Sequence, residues 1–108
     1  MFIGQVVGTV VSTVKDPKVV GLKLQIVQEL DERRRPRDKY VVAADTVGAG
    51  PGDLVLFAQG SSARQTTETD GRPIDAAIFA VVDSWDVDGE IVYRKEGLEA
   101  IGREPAEV

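Results

Sequence analysis

The side chains that most often perform catalysis or bind transition metals are missing from this sequence. Its 108 residues contain no histidine and no cysteine, which removes Ser-His-Asp and Cys-His catalysis, disulfides and thiolate metal sites. Ser61, in Gly60-Ser61-Ser62, is predicted to cap a short helix rather than to act as a nucleophile. Paired carboxylates could still support hydrolysis, but no spacing places two of them in one cleft. We therefore predict no enzyme activity, no catalytic residue, no cofactor and no metal.

Two polar motifs have part of the pattern of ligand-binding loops but lack essential residues. Asp83, Asp86, Asp88 and Gly89 are spaced somewhat like a calcium loop, yet the glutamate at the twelfth position is absent and predicted strands flank them. We expect a hairpin turn there. The glycine-dense segment 45–53 lacks both the Lys-Ser/Thr ending of a P-loop and the G-x-G-x-x-G spacing of a dinucleotide loop. It is predicted to be a shaped connection that binds no nucleotide.

Arginines cluster in the segment 31–39, between two predicted strands. Arg33, Arg34, Arg35 and Arg37 could contact an anion or a partner, and in an OB-like barrel they could contact the phosphates of single-stranded nucleic acid. The alternative is a solvated hairpin tip, because acidic residues flank the arginines. Stacking residues are scarce, with three Phe, two Tyr and one Trp, and the net charge is −5. The nucleic-acid module is kept as the alternative function, and we predict no nucleic-acid partner.

Size and charge describe one small domain with two unlike halves. A chain of 108 residues fits one domain with a modest core. Residues 1–44 hold 8 basic and 5 acidic side chains, whereas residues 45–108 hold 5 basic and 13 acidic ones. That split is compatible with head-to-tail contact between identical subunits. No apolar run approaches the ~20 residues of a membrane-spanning helix, so no membrane association is predicted.

The first strand is predicted to carry more apolar surface than one core can cover. β-Branched residues dominate Val6 to Val14, which favours a long strand from Phe2 to Lys15. Its even positions are small or apolar and are expected to face the core. Ile3, Val7 and Val11 lie at odd positions and would point outward. Such a face requires cover from a partner subunit or a further layer.

The remaining patterns indicate a barrel of short strands. Leu22–Leu30 places Leu22, Leu24 and Ile26 on one face, with Lys23, Gln25 and Val27 on the other. The further predicted strands are Tyr40–Ala44, Leu54–Ala58, Ile74–Trp85 and Glu90–Lys95, with one short helix in Gly60–Thr67. The predicted fold class is all-β, a small OB-like Greek-key β-barrel with one short helix. Residues 1–95 form the single barrel domain, and residues 96–108 a tail that is a short helix or disordered.

Several sequence blocks together resemble one known family. They are Phe2–Thr13, Gly21–Leu24, Asp45–Gly50, Gly60–Arg64, Arg72–Ile78 and Val81–Asp83. Each block alone is weak, but in this order they are similar to the EutN/CcmL family, the pentameric vertex proteins of bacterial microcompartment shells, including carboxysomes. The resemblance implies a twisted β-barrel subunit in a cyclic homopentamer that caps the vertices of a polyhedral shell. It also implies hexameric shell proteins as partners, a location in the cytoplasm within the microcompartment shell, no enzyme activity and no cofactor.

A cyclic ring implies two different contact surfaces on each subunit, one for each neighbour. We predict that the outward residues of the first strand, Val7, Val11 and Ile3, contribute to these contacts. A Val11→Asp substitution would then place an unpaired charge in a contact, at a cost of several kcal/mol. The expected result is a lower oligomer mass.

Two further features become candidates in such a ring. Five copies of a loop crowd at a five-fold axis, and backbone with little side-chain bulk tolerates this, so Gly48, Ala49 and Gly50 are the candidate axis loop. An ordinary tight connection is the alternative. Arg64 would bridge subunits or bind an anion near the axis, or else be a plain surface arginine. Carboxylates at strand ends, Asp45 among them, would pair with Arg64 or accept backbone N–H bonds in turns.

Overall fold

The computed structural model describes residues 1–13 and 15–95 of the chain. Within them lie seven β-strands, which are β1 (Phe2–Val10), β2 (Lys23–Leu30), β3 (Pro36–Asp45), β4 (Leu54–Gln59), β5 (Ala76–Val81), β6 (Ser84–Val87) and β7 (Glu90–Arg94). Two short 3-10 helices, Pro17–Val19 and Gly60–Arg64, precede β2 and follow β4. The predicted tail, residues 96–108, lies outside the described residues.

Five strands close into a barrel in the order β1-β2-β3-β5-β4, and β6 and β7 form a separate two-stranded sheet. Neighbouring barrel strands run antiparallel except β3 and β5, which run parallel and pair at Ala44–Ala77 and Asp45–Ile78. The non-sequential neighbours are those of a Greek-key barrel rather than a meander. The prediction of an all-β small barrel is confirmed.

The predicted short helix is present as a 3-10 helix, but the predicted serine cap is wrong. Gly60–Arg64 has five residues, and the backbone N–H of Gln65 bonds to the carbonyl of Ser62 three residues earlier. Neither serine caps it, because the N-cap position is Gln59, whose side chain makes no capping bond. Thr66 and Thr69 then hydrogen-bond to each other through their hydroxyls at 2.6 Å. This local turn ends the helical path after one turn.

The first strand is shorter than predicted and contains a bulge. β1 ends at Val10, which pairs with Leu24, the second residue of β2, so only Lys23 of β2 lies beyond this last pair. The predicted extension to Lys15 is therefore wrong. The register shifts between Val6 and Gly8, which leaves Val7 as the bulged residue. The position of Val14 lies outside the described residues.

The barrel interior takes an unexpected face of β2. Gln25, Val27 and Glu29 are buried, whereas Leu24 and Ile26 on the opposite face are only half-buried. The core around Val27 consists of Val6, Ala43, Ala49, Val55, Phe57, Ala76 and Ile78. A second cluster of Ala44, Ala63, Ile74 and Ala77 lies outside the barrel wall and covers Leu22 and Leu24. Part of the aliphatic face of β2 therefore packs within the chain, and Ile26 lies beyond that second cluster.

The predicted strand Ile74–Trp85 is two strands in two sheets. β5 ends at Val81 inside the barrel, and β6 begins at Ser84 and pairs with β7. Between them Val82 donates its N–H to the carbonyl of Leu54, and Lys95 donates to the carbonyl of Asp83. These two hydrogen bonds fix the β5–β6 connection to β4 and to the end of β7. A continuous apolar run could not reveal this change of sheet.

The β6–β7 hairpin is fastened to the β2–β3 turn by contacts that we call the clasp. Trp85 Nε1 donates to the carbonyl oxygen of Glu32 at 2.9 Å, and Arg33 Nη2 lies 3.5 Å from Asp88 Oδ2. The guanidinium of Arg34 lies 4.8 Å from the centre of the Tyr93 ring, which in turn packs against Trp85. Two residues of the arginine cluster, Arg33 and Arg34, thus join two hairpins of the same chain.

Asp31 holds the clasp turn in shape, and this predicts a pH dependence. Its carboxylate accepts the backbone N–H of Arg35, the side-chain Nε of Arg35 and the N–H of Arg33. The backbone bond from Arg35 is the largest cause that lowers the pKa of Asp31 below its ordinary 3.8. A carboxyl whose pKa is lower in the folded state stabilises the fold above 3.8, and that contribution disappears as pH falls through the lowered value.

We expect the fluorescence of Trp85, the only tryptophan of the chain, to report this titration. The emission should shift to the red in an acidic transition below pH 3.8, because protonation of Asp31 weakens the turn that holds the Glu32 carbonyl against Trp85 Nε1. Asp31→Asn should give the shifted emission at neutral pH, whereas Asp38→Asn, at an exposed position of β3, should leave the titration unchanged. An Asp31→Asn variant with wild-type emission at every pH would show that the carboxylate does not hold the clasp.

Candidate subunit interface

Three adjacent strands present an apolar surface on the outside of the barrel. Gly8 of β1 pairs with Ile26 of β2, and Ile26 pairs with Val42 of β3. Val42 and Tyr40 of β3 are 50% and 56% exposed, and Val7 at the bulge of β1 is 47% exposed. We call Val7, Ile26, Tyr40 and Val42 the apolar outer face. Contiguous exposed apolar side chains on a β-sheet are typical of a surface that another protein covers.

The residues predicted as subunit contacts fall in different places. Val7 lies in the apolar outer face, and Ile3 on β1 is half-buried. Val11 lies beyond the end of β1 with 85% of its surface exposed, so it is free to make contacts but is not part of the strand. The sequence interpretation missed Tyr40 and Val42. The signal that could have indicated Tyr40 and Val42 was the apolar alternation of Leu24 and Ile26, because β2 is the strand that pairs with β3.

The glycine-dense loop is shaped by two aspartates. Asp45 Oδ1 accepts the backbone N–H groups of Val47 and Gly48, each at 3.0 Å, and Asp53 Oδ2 accepts the N–H of Gly50 at 2.9 Å. Gly48 has a φ of 75°, a left-handed conformation that glycine adopts without strain. Asp45 therefore fulfils the turn-forming alternative and not the ion pair with Arg64.

The loop is also anchored from inside the barrel. Ala49 is fully buried in the main core, and its carbonyl oxygen accepts Gln25 Nε2 at 2.7 Å. Gln25 Oε1 in turn accepts the hydroxyl of Thr9 at 2.8 Å. Gly48 is exposed and Gly50 half-buried. Of the predicted axis residues, Gly48 thus presents backbone to the outside, while Ala49 fixes the loop to the core.

Removing the Gln25 amide is expected to destabilise the barrel. Gln25→Leu keeps a similar volume but leaves the Ala49 carbonyl buried without its donor, which costs about 1–3 kcal/mol. Urea unfolding should show a free energy of unfolding lower by that amount. The matched control is Gln28→Leu on the other face of β2, whose exposed bond to the Arg37 carbonyl contributes little. Equal losses for the two variants would contradict the anchoring role of Gln25.

One nitrogen of the Arg64 guanidinium is hydrogen-bonded within its own chain. Its Nη1 donates to the carbonyl of Ile74 at 2.9 Å, and Arg72 Nη1 donates to the carbonyl of Val20 at 3.3 Å. Over the described ranges neither arginine forms an ion pair with a carboxylate. Arg64 also borders an open concavity lined by Gln65, Thr66, Thr67 and Asp70. It remains a candidate subunit contact.

The arginines of the basic hairpin are held by contacts within the chain. Arg35 Nε lies 2.7 Å from Asp31 Oδ2 and Arg37 Nε 3.5 Å from Glu29 Oε2, while Arg33 and Arg34 take part in the clasp. Arg33 and Arg35, which are paired with carboxylates, and Arg34, which is stacked on an aromatic ring, offer little to a phosphate backbone, whereas Arg37 shares the one Glu29 carboxylate with Lys39. This arrangement weighs against the nucleic-acid alternative.

Other kinds of site find no support within residues 1–13 and 15–95. No group of three or more acidic side chains there is placed to hold a metal ion. In the same ranges no helix has the length and apolar character needed to cross a membrane. The features that stand out are the apolar outer face, the anchored glycine loop and the clasp.

These features define a class of protein, a small all-β barrel with exposed apolar side chains on its outer wall. The family described as "Ethanolamine utilisation protein EutN/carboxysome" matches residues 1–83, and the chain belongs to this family. The match was expected from the resemblance and is confirmed.

Named relatives agree over nearly the whole chain. The carboxysome shell vertex protein CcmL of Gloeobacter violaceus is 46% identical over 96 residues, which is 89% of this chain and 96% of that protein. The solved structure of Gloeobacter violaceus CcmL has a TM-score of 0.85 at 46% identity, covering 89% of this chain and 99% of the other. The GrpN pentameric microcompartment shell protein from Rhodospirillum rubrum has a TM-score of 0.73 at 44% identity, covering 81% and 100%.

Proposed function

We propose that this chain is a structural subunit of a bacterial microcompartment shell, in which cyclic pentamers cap the vertices. The single observation that carries the proposal is family membership, since named relatives are shell vertex proteins and one solved relative is a pentameric shell protein. The apolar outer face, formed by Val7, Ile26, Tyr40 and Val42 on three adjacent strands, supports it as a surface suited to subunit contact. The proposed role is not enzymatic, needs no cofactor and places the chain in the shell.

Ring closure requires each subunit to present two different surfaces. The apolar outer face is one of them, and Ile3, Val11 and Arg64 remain proposed contacts toward a neighbour. A contact of standard size covers about 800 Å² per partner. Two such contacts would greatly extend the hydrophobic burial that a chain of this size achieves alone. Residues 1–95 are proposed as the unit that forms the ring.

Gly48, Ala49 and Gly50 are proposed to border the five-fold axis. The aspartate bonds and the Gln25 anchor hold this loop in one conformation, and an axis requires such uniformity because all copies approach one another closely. A Cβ added at Gly48 would meet nothing within 4 Å in the isolated subunit. In the proposed ring the same space is taken by neighbouring copies.

Hexameric shell proteins that tile the flat facets are the proposed partners. A sheet of six-fold units closes into a polyhedron only where five-fold units interrupt it, so assembly should depend on this chain. Hexameric shell proteins coexpressed with the chain should give closed polyhedral particles under electron microscopy, and the same proteins alone open sheets or tubes. Equal numbers of closed particles with and without the chain would contradict the vertex role.

A further inference from the structure

One edge of β3 carries an unusual length of unpaired backbone. β2 pairs with β3 at Pro36 and from Tyr40 to Asp45, with a register shift that leaves residues 37–39 without a β2 partner, and on the other edge β5 pairs only with Ala44 and Asp45. Over residues 36–43 no described strand pairs with that second edge. Most of this stretch is exposed. Free N–H and C=O groups on a strand edge are a template for a further strand.

A buried carboxylate stands beside the start of this open edge. The Glu29 side chain is 10% exposed, and its Oε1 has no hydrogen-bond donor among the described residues. Two cations flank it, with Lys39 Nζ 3.4 Å from Oε1 and Arg37 Nε 3.5 Å from Oε2. The side chains of Arg37 and Lys39 are 57% and 47% exposed. The group therefore turns a positive surface outward, with one more cation than it has carboxylates.

The ammonium of Lys39 is fixed by further neighbours. It donates to Gln59 Oε1 at 3.1 Å and lies 5.1 Å from the centre of the Phe2 ring. Phe2 itself stacks on Phe57 of the barrel core. A cation held by a carboxylate, an amide and an aromatic face loses little additional freedom when a partner carboxylate reaches it.

We propose that the open edge of β3 binds an extended acidic segment of another protein by strand addition. The backbone of residues 40–43 would pair with the incoming segment, and Arg37 and Lys39, in the irregular stretch just before it, would bind its carboxylates. A nucleic acid supplies anions but no strand for the edge to pair with. The alternative role of Lys39 and Pro36 is to prevent other strands from pairing with this edge, as Lys and Pro do on many edge strands. In that case the edge would bind no peptide.

The probe is a fluorescein-labelled decapeptide of alternating glutamate and valine, titrated with the full-length chain and followed by fluorescence anisotropy. The expected result is saturable binding that weakens at least about tenfold, or 1.4 kcal/mol, with each of two altered peptides. One carries glutamine in place of glutamate, and the other carries N-methyl groups at alternate amides. Arg37→Gln/Lys39→Gln should weaken binding to a similar extent, and Lys23→Gln, at the far end of the β2–β3 pair, should not.

Four outcomes would overturn the proposal. They are no binding of the acidic peptide, equal binding of the N-methylated peptide, tighter binding of an oligothymidylate than of the peptide, and an altered oligomer mass for the Arg37→Gln/Lys39→Gln variant. The last would assign the edge to a second copy of this chain. Because the edge belongs to a single subunit, the inference does not depend on the ring. A monomeric chain that still binds the peptide would contradict the proposed function alone.

Discussion

Val42→Asp is expected to convert the oligomer to monomer. Val42 lies on the β3 side of the apolar outer face, paired with Ile26 and half exposed in the single subunit. In the proposed ring an aspartate there would be desolvated without a partner, which costs about 3–5 kcal/mol per contact. Because every 1.4 kcal/mol is tenfold in affinity, the contact should weaken more than about a hundredfold. Native mass spectrometry at micromolar concentration should show the 11.6 kDa chain.

Aspartate substitutions at three other exposed valines accompany Val42→Asp, two as parallel tests and one as a control. Val7→Asp should act like Val42→Asp, because Val7 is a neighbour in the same face, and the Val11→Asp prediction is tested beside them. Val20→Asp makes the same chemical change at a valine that is 55% exposed but lies outside that face, next to the first 3-10 helix. Circular dichroism must show folded barrels throughout. An oligomer that survives both Val7→Asp and Val42→Asp would remove the apolar outer face as a subunit contact.

Gly4→Ala is expected to destabilise the barrel more than any other single methyl group added to a glycine. A Cβ at Gly4 would lie 2.5 Å from Val27 Cγ1, 2.8 Å from Phe57 Cε1 and 3.0 Å from the backbone oxygen of Gln28. Two buried side chains and a backbone atom cannot all move aside, so overpacking should cost about 1–3 kcal/mol or more. For a domain of this size the melting temperature should fall by roughly 5–20 °C.

Gly8→Ala is the matched control on the same strand. There the nearest atom to the new Cβ is Ile26 Cδ1 at 3.3 Å, the far end of a flexible side chain. Thermal unfolding of both variants at one protein concentration should give a small shift for Gly8→Ala and a large one for Gly4→Ala. Similar melting temperatures would show that the close approach of β1 to Val27 and Phe57 does not limit stability.

Local sequence patterns predicted the individual strands and loops of the barrel, because these elements depend mainly on residues that are close together in the chain. β-Branched residues gave β1, alternating residues gave β2, and glycines and Pro51 gave the loop before β4. The outward apolar excess of β1 also led to the prediction of a partner surface. Its extent was not predictable from one strand, since the apolar outer face arises only when β1, β2 and β3 lie side by side.

What the sequence did not reveal depends on contacts between distant residues. Gln25 looks like a solvent-facing residue until Thr9 and the Ala49 carbonyl surround it inside the barrel. The arginine cluster looks like an anion site until Asp88 and Tyr93 meet it from the β6–β7 hairpin. In both cases the partner lies more than ten residues away, where periodicity and turn chemistry carry no information.

The mass of the purified wild-type chain in native mass spectrometry tests the central claim most directly. A cyclic pentamer of the 11.6 kDa chain has a mass of about 58 kDa. We predict that this species dominates at micromolar concentration. A dominant monomer at 11.6 kDa, or a six-copy ring near 70 kDa, would contradict the account.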